Sequence, residues 1–434
     1  MLKTIPDTSR NLVLLLLIPV LSGAAWGPQA RAETDSDLPV TLEKALAIAH
    51  ENSRLMEAAR QRVGEAEGDL LGASLLLLEN PELGMEAGPR VPQQSPGEAS
   101  TDMALGLEQT FQVGGQRSHR VARARAQVAA ARAQARDVQR MIDLAVARTF
   151  YQALAADVRL RLLEQNERLA RELFDIALRR LEAGEGTPLE VNTARIRLAE
   201  ASRRAVAVRT EREAAVVKLA ELLGLDVSTP LKLIGELPGD EAAPEPAALV
   251  ARALEERADL QAAARQVEAA RSGAALARAQ VWPDIGLGVQ YAREEGDEIL
   301  TAGIRVPIPL FNRNQGERQR ARAERARAAA EREALALTVA SEVRRAWLVY
   351  EQARSAFQIY DAEVLRAQEE SLALLRRTFE VGEVGMPEVI VVQREVVEGR
   401  EGYLNSQLDL ALARAELLAA VQLPQVAPLR SDAP

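Results

Sequence analysis

The chain has 434 residues, no cysteine and two histidines, with 63 acidic against 54 basic residues for a formal net charge of −9. Absence of cysteine excludes disulfides, thiol catalysis and a lipid anchor on a mature cysteine, and His50 and His119, both read as surface residues, leave little for metal ligation. Charges of both signs are mixed along the chain, against nucleic-acid binding, and 3% aromatics with abundant Ala and Arg suit long helices better than a large globular core.

Lys3 and Arg10, an apolar run from Leu12 to Leu21 and then Ala30-Arg31-Ala32 predict a secretory signal over 1–32, cut before Glu33. The run is too short for a membrane anchor and contains Pro19. Removing the segment's net +2 takes the charge from −9 to about −11. No other segment reads as a transmembrane helix, so insertion into a membrane would need strands.

Residues 33–223 read as a first structural unit. Thr41 opens a helix over 41–78, with Lys44 where a capping box would have Glu or Gln and a narrow stripe of Leu42, Ala45, Leu46 and Ala49. A β-hairpin follows at 82–110, where Leu83, Met85, Ala87, Met103, Leu105 and Leu107 alternate with small or polar residues. A long helix is predicted over 112–183, and 116–183 is 68 residues without Gly or Pro, roughly 100 Å as a single helix. Gly184 and Gly186 stop it, and Pro188 starts a return helix over 188–223.

A Gly- and Pro-rich linker over 224–246 includes a short strand at Leu231–Ile234. A second unit at 247–423 repeats the plan: a helix over 247–280, a hairpin at 284–309, a long helix over 316–381 and a return helix over 387–423. Ile285, Leu287, Val289 and Tyr291, then Leu300, Ala302, Ile304 and Val306, supply the alternation. The tail 424–434 is predicted to be disordered. Matching strings fix the duplication: Asn80-Pro81-Glu82-Leu83-Gly84 with Trp282-Pro283-Asp284-Ile285-Gly286, and the turn at Pro188 with that at Pro387.

Helices so long, faced mostly by alanine, suit close packing with both outer and inner surfaces wet, although periodicity alone equally allows a coiled coil. The strands favour a membrane. Each has one apolar face and one of Gly, Gln, Glu, Thr and Arg, as for lipid outside and water inside, and Phe111, Trp282 and Phe311 fall where an interfacial girdle would lie. A soluble sheet packed on the helices is the alternative. In lipid, four strands cannot close a barrel, so several copies are required: two would give eight strands and little lumen, three would give twelve and an open one.

With Gln109-Thr110-Phe111 leading to Gly115 and Arg117, the turn Ile308-Pro309-Leu310-Phe311-Asn312-Arg313-Asn314-Gln315-Gly316 and the two Gly-containing helical turns, the chain resembles the TolC family of outer-membrane efflux proteins from Thr41 to Leu423. The Pro-Leu-Phe-Asn-Arg-Asn-Gln-Gly string is similar to the CzcC-like branch associated with heavy-metal RND pumps. The resemblance implies a mostly α-helical homotrimer whose twelve-stranded barrel in outer-membrane lipid continues into a periplasmic α-helical tunnel. It places the docking of a periplasmic adaptor, itself joined to an inner-membrane pump, at the tips formed by Gly184, Gly186, Thr187, Pro188, Gly382, Gly385, Met386 and Pro387. It makes Glu388 and Glu190 candidates for the pore aperture, where a ring of carboxylates would favour cations. Both also suit the positive N-terminal end of a helix. Val391 and Val392 stand where a second acidic ring would fall.

No P-loop, nucleophile constellation or metal cluster is found, so no catalytic residue, metal or cofactor is assigned. The expected function is a passive exit duct of a tripartite efflux system. Alternatives are the duct of a type I secretion system, or a periplasmic coiled-coil scaffold without a barrel.

Overall fold

The computed structural model describes residues 38–90, 100–294, 297–360 and 383–429, together with 367, 370, 371, 373, 374, 377–379 and 381. The expected signal segment, Gly382 and the last five residues of the tail lie outside the described residues.

In chain order the elements are β1 (Leu38–Val40), α1 (Leu42–Asn52), α2 (Arg54–Ser74), β2 (Glu82–Arg90), β3 (Ser100–Phe111), α3 (Gln116–Glu182) and α4 (Pro188–Leu222). The second half comprises β4 (Leu231–Leu233), α5 (Pro246–Glu256), α6 (Ala258–Ala279), β5 (Ile285–Glu294), β6 (Asp297–Arg305), α7 (Gln315–Gln358) and α8 (Met386–Val421). The Ala- and Arg-rich stretch of α3 consists largely of strong helix formers, and its 67 residues extend roughly 100 Å. α3 packs against α2 and α4 of its own unit and against α6 and α8 of the other. Much of what it buries is small: Ala124, Ala126, Ala130 and Ala133 are all below a tenth exposed.

Apolar clusters lie at several levels of the helices. One joins Val40, Leu46, Val146, Phe150, Leu219 and Leu231, and another joins Leu249, Val339, Tyr350, Leu410 and Leu417. Against the first lies a small parallel sheet of β1 and β4, with Leu38 opposite Leu231 and Val40 opposite Leu233. The strand expected near Leu231 therefore has a partner some 190 residues earlier in the chain. That partner is too short to carry a period-two signal.

The structure differs from the sequence reading where tertiary contacts break helices without Gly or Pro. The helix expected over 41–78 is interrupted at Ser53 and ends at Ser74, and the one expected over 247–280 is interrupted at Arg257. Both break residues adopt extended backbone, with φ and ψ of −63° and 123° at Ser53 and −61° and 127° at Arg257. Asn52 lies under Gly224, where a Cβ would stand 2.8 Å from the Asn52 carbonyl. Arg257 is buried and held by Asp259 at 2.6 Å and Glu342 at 2.7 Å.

The second long helix does not run unbroken over 316–381: α7 ends at Gln358, and Ile359 and Tyr360 form a turn. There Tyr360 lies over Gly402 of α8, where a Cβ would come within 2.5 Å of the phenol oxygen, and its ring meets Tyr403 at 6.1 Å. The tail is ordered as far as Leu429, which is 1% exposed in the second cluster. The cause is Arg414, a buried cation of α8 that donates to the carbonyls of Gln425 and Ala427 and to Glu241. Burying an arginine demands acceptors, and the tail supplies two.

Candidate functional site

The four longer strands form one antiparallel sheet in the order β2-β3-β5-β6. Its register aligns every apolar row. Leu83 faces Leu107 and Met85 faces Leu105; Leu107 faces Val289 and Leu105 faces Tyr291; Leu287 faces Ile304 and Tyr291 faces Leu300. Side chains alternate along a strand, so this register puts all of them on one face. Met85, Leu300 and Ile304 are each 74% exposed, and no described residue covers this face. Monomeric soluble proteins rarely leave so large an apolar patch open.

The opposite face is polar and lined with glycine. Gly84 faces Gly106, Gly288 faces Gly303 and Gln290 faces Thr301. The Glu108 carboxylate on β3 reaches Arg305 on β6 at 2.5 Å across the intervening β5. Gly286 makes this possible, because a Cβ there would stand 2.9 Å from that carboxylate oxygen. Towards the other end, Arg90 pairs with Asp102 at 2.7 Å and Glu294 at 3.3 Å. The same face also carries Glu82, Glu86 and Asp297, so acids outnumber bases on it. β2 and β6 have no strand partner on their outer edges among the described residues.

At the junction of sheet and helices, Phe311 is 92% and Trp282 66% exposed, whereas Phe111 is only 36% exposed. Gln116, which starts α3, donates to the Trp282 carbonyl and the Asp284 carboxylate, both at 3.2 Å. Arg117 and Arg120 donate to the carbonyls of Ser74 and Leu75 at the end of α2. α3 is thereby fastened to the strand connections beside it.

The far turns also meet each other. Gly184 adopts φ +78°, and the Gly186 backbone passes so near Arg180 and Leu181 that a Cβ would lie 3.0 Å from the Leu181 nitrogen. Thr187 and Glu190 form a complete capping box at the start of α4. That bond occupies one carboxylate oxygen of Glu190 in its own helix, whereas Glu388 is exposed in the first turn of α8. Met386 is 1% exposed in a cluster with Leu173, Ile176, Val191, Phe379 and Ile390. It was expected at a docking surface and instead cements the two turns. Leu189 and Val381, which sequence reasoning did not select, are 74% and 71% exposed.

Among the described residues no group of three or more His, Asp or Glu side chains is arranged to hold a metal ion, and no helix is long and apolar enough to cross a membrane. The arrangement presents a two-faced sheet, a helical trunk and a paired tip.

These features define an outer-membrane channel. The chain matches the family described as Outer membrane efflux protein over residues 45–225 and 249–421, and it belongs to that family. Cobalt-zinc-cadmium resistance protein CzcC of Cupriavidus metallidurans is 25% identical over 369 residues, covering 85% of this chain and 86% of that protein. Pyoverdine export outer membrane protein OpmQ of Pseudomonas putida is 26% identical over 406 residues, 88% and 85% of the respective chains. The fold is shared with VceC of Vibrio cholerae, at TM-score 0.71 and 18% identity over 88% of this chain and 95% of that one. It is also shared with CusC, at TM-score 0.72 and 18% identity over 88% and 91%. The protein is an outer-membrane duct of a tripartite efflux system, in a family of channels rather than enzymes.

Proposed function

We propose that three copies of this chain close their sheets into a twelve-stranded barrel, and that their helices continue it as a wet tunnel to a tip opened by a periplasmic adaptor. The observation that carries this reading is the open sheet, apolar on one face, polar on the other and unpaired at both edges. In hydrocarbon each unpaired backbone group costs several kcal/mol, and joining β6 of one copy to β2 of the next removes those edges.

The adaptor would grip the exposed side of the tips around Gly184, Thr187, Pro188 and Pro387, with Leu189 and Val381 as apolar anchors. Glu388 is the stronger candidate for a ring at the aperture, because Glu190 is engaged in its capping box. An inner-membrane pump of the RND type supplies the energy.

Divalent heavy-metal cations are the proposed cargo. The similarity to CzcC supports this, as does the excess of carboxylates on the polar face of the sheet. Metal selectivity would rest with the pump, since the duct offers no cysteine and two histidines.

The test is outer-membrane fractionation of the full chain expressed with its signal in a Gram-negative host, followed by gels of unheated and boiled samples. A trimer-sized band that boiling dissociates is expected, and recovery as a soluble monomer would overturn the duct. Loss of the gene should sensitise its host to cobalt, zinc or cadmium. Unchanged tolerance to all three would remove the metal assignment and leave the duct.

A further inference from the structure

The sheet meets the helices through four connections at one end, and they are unequally covered. Gln116 and Gln315 each start a long helix, so 107–111 of the first unit corresponds to 306–310 of the second at a spacing of 199. Residues 107–111 form the end of β3 and pair with β5 as far as Phe111. Residues 306–310 lie beyond β6 and join no ladder.

The cause is in the sequence. Pro307 and Pro309 stand where the first unit has Glu108 and Thr110, and a proline has no N–H to donate to a neighbouring strand. Each also biases the residue before it, Val306 and Ile308, towards extended backbone. The Leu310 N–H then donates to the Ile308 carbonyl at 2.9 Å, which closes a tight turn. Apolar residues nevertheless keep the period of β6, at Ile304, Val306, Ile308 and Leu310. The arm thus prolongs the apolar character of the sheet's open face without taking part in the sheet. Ile308, Leu310 and Phe311 are 74%, 63% and 92% exposed.

Cations flank this arm. From Arg305 to Arg322 five arginines stand against one glutamate, Glu317, which pairs with Arg320 at 3.4 Å. Arg313 is exposed and Arg318 partly buried, and neither guanidinium has an acceptor or ion-pair partner among the described residues. The Arg318 Nε is itself buried with nothing to receive its hydrogen bond. Arg318 lies in the first turn of α7, about 5 Å along the helix from its start. A phospholipid answers both features at once, with acyl chains for the arm and a phosphate for the arginines.

We infer that residues 306–313 are a non-covalent lipid anchor. Ile308, Leu310 and Phe311 sit among the acyl chains of the leaflet on the trunk side, and Arg313 and Arg318 hold the headgroup of an anionic phospholipid. The inference rests on the lipid-facing sheet proposed above and adds the class of lipid that its rim selects.

The chain has no cysteine, so a single one can carry a fluorophore at a chosen position. The test uses bimane-labelled F311C in the full-length protein, reconstituted in phosphatidylcholine vesicles that carry nitroxide-labelled phosphatidylglycerol or nitroxide-labelled phosphatidylcholine. V289C on the apolar face of the sheet is the reference for lipid contact. Quenching is expected at both positions, and at 311 it should be stronger with phosphatidylglycerol. R313Q/R318Q in the F311C chain should reduce that preference by about fivefold for each arginine, the strength of one basic residue near an anionic surface. Quenching at 289 but not at 311 would overturn the anchor, as when another protein covers the arm, and leave the sheet in lipid. Quenching at neither position would remove both. Equal quenching at 311 by the two lipids, unaltered in R313Q/R318Q, would overturn the choice of an anionic headgroup. If F311C fails to assemble, Ile308→Cys reads the same arm.

Discussion

Arg180 near the end of α3 donates to the Phe379 carbonyl at 3.1 Å while its guanidinium lies 5.3 Å from the centroid of that ring. Its second nitrogen donates to the Glu185 carbonyl at 3.3 Å. One side chain thus ties the first tip turn to the second. Arg180→Ala should loosen both turns by about 1–3 kcal/mol, the sum expected for such a hydrogen bond and a cation–π contact. Amide exchange over residues 181–187 should then accelerate by about tenfold per 1.4 kcal/mol lost. Unchanged exchange would show that the turns hold together without this latch. Arg180→Lys should recover only part of the protection, since an ammonium lacks the planar fork.

Arg257→Met removes the cation that holds Asp259 and Glu342 at the break between α5 and α6. Removing one partner of a buried ion pair costs about 3–5 kcal/mol. The urea midpoint of the full chain, followed by helical circular dichroism, should fall accordingly. A change within error would mean that water replaces the guanidinium there.

Two carboxylates of the trunk should give opposite pH signatures. Burial opposes ionisation of Asp259, but hydrogen bonding to Arg257 outweighs it and holds the carboxyl below its ordinary value of 3.8. Its contribution is therefore present above pH 3.8 and lost as pH falls through the lower folded-state value. Asp143 is the reverse case: burial pushes it above 3.8 despite its hydrogen bond with His50. Its contribution is complete below pH 3.8 and lost as pH rises through the folded-state value. Asp143→Asn should accordingly gain stability relative to wild type as pH rises from 3 to 7, and Asp259→Asn should lose it. Denaturant midpoints across that range give the answer, and parallel curves for both variants and wild type would contradict it.

Gly114 is fixed by contact, since a Cβ would stand 2.6 Å from Trp282 Cβ and 2.9 Å from the Ala279 carbonyl. Gly114→Ala should cost about 1–3 kcal/mol through overpacking and lower the temperature at which the oligomer dissociates on a gel. Wild-type heat resistance would show that the junction can shift at no cost.

Val289 and Gln290 are neighbours in β5 with side chains on opposite faces. Val289→Arg puts a cation on the apolar face and should cost about 2–4 kcal/mol of membrane-inserted stability near the bilayer midplane. Gln290→Arg, on the polar face, should leave assembly intact and reduce cation conductance in planar bilayers. Equal tolerance of both would count against lipid on the apolar face.

Periodicity made the sheet legible. Four strands with period two, in two hairpins of matching phase, leave one register that gathers Leu83, Leu107, Val289 and Ala302 into a row. The stop at Gly184 and the restart at Pro188 were legible because their signals are local, whereas the capping box of Thr187 and Glu190 emerged only in the structure. The interruptions at Ser53, Arg257 and Ile359 were not. Each is imposed by a distant partner: Gly224 against Asn52, Glu342 on Arg257, Gly402 beneath Tyr360. Met386 escaped because its neighbours Leu173 and Ile176 lie two hundred residues earlier in the chain.

The open edges of the sheet bear on how dosage governs the proposed trimer. A protomer alone cannot settle in the bilayer, so the supply of finished ducts depends on encounters among protomers and not on synthesis alone. While protomers are scarce, mass action makes the yield follow the cube of their concentration, and halving expression leaves about an eighth of the ducts. A variant with a sound β2 edge and a blocked β6 edge would enter mixed rings and stop them, so it should act as a dominant poison even beside an intact copy of the gene.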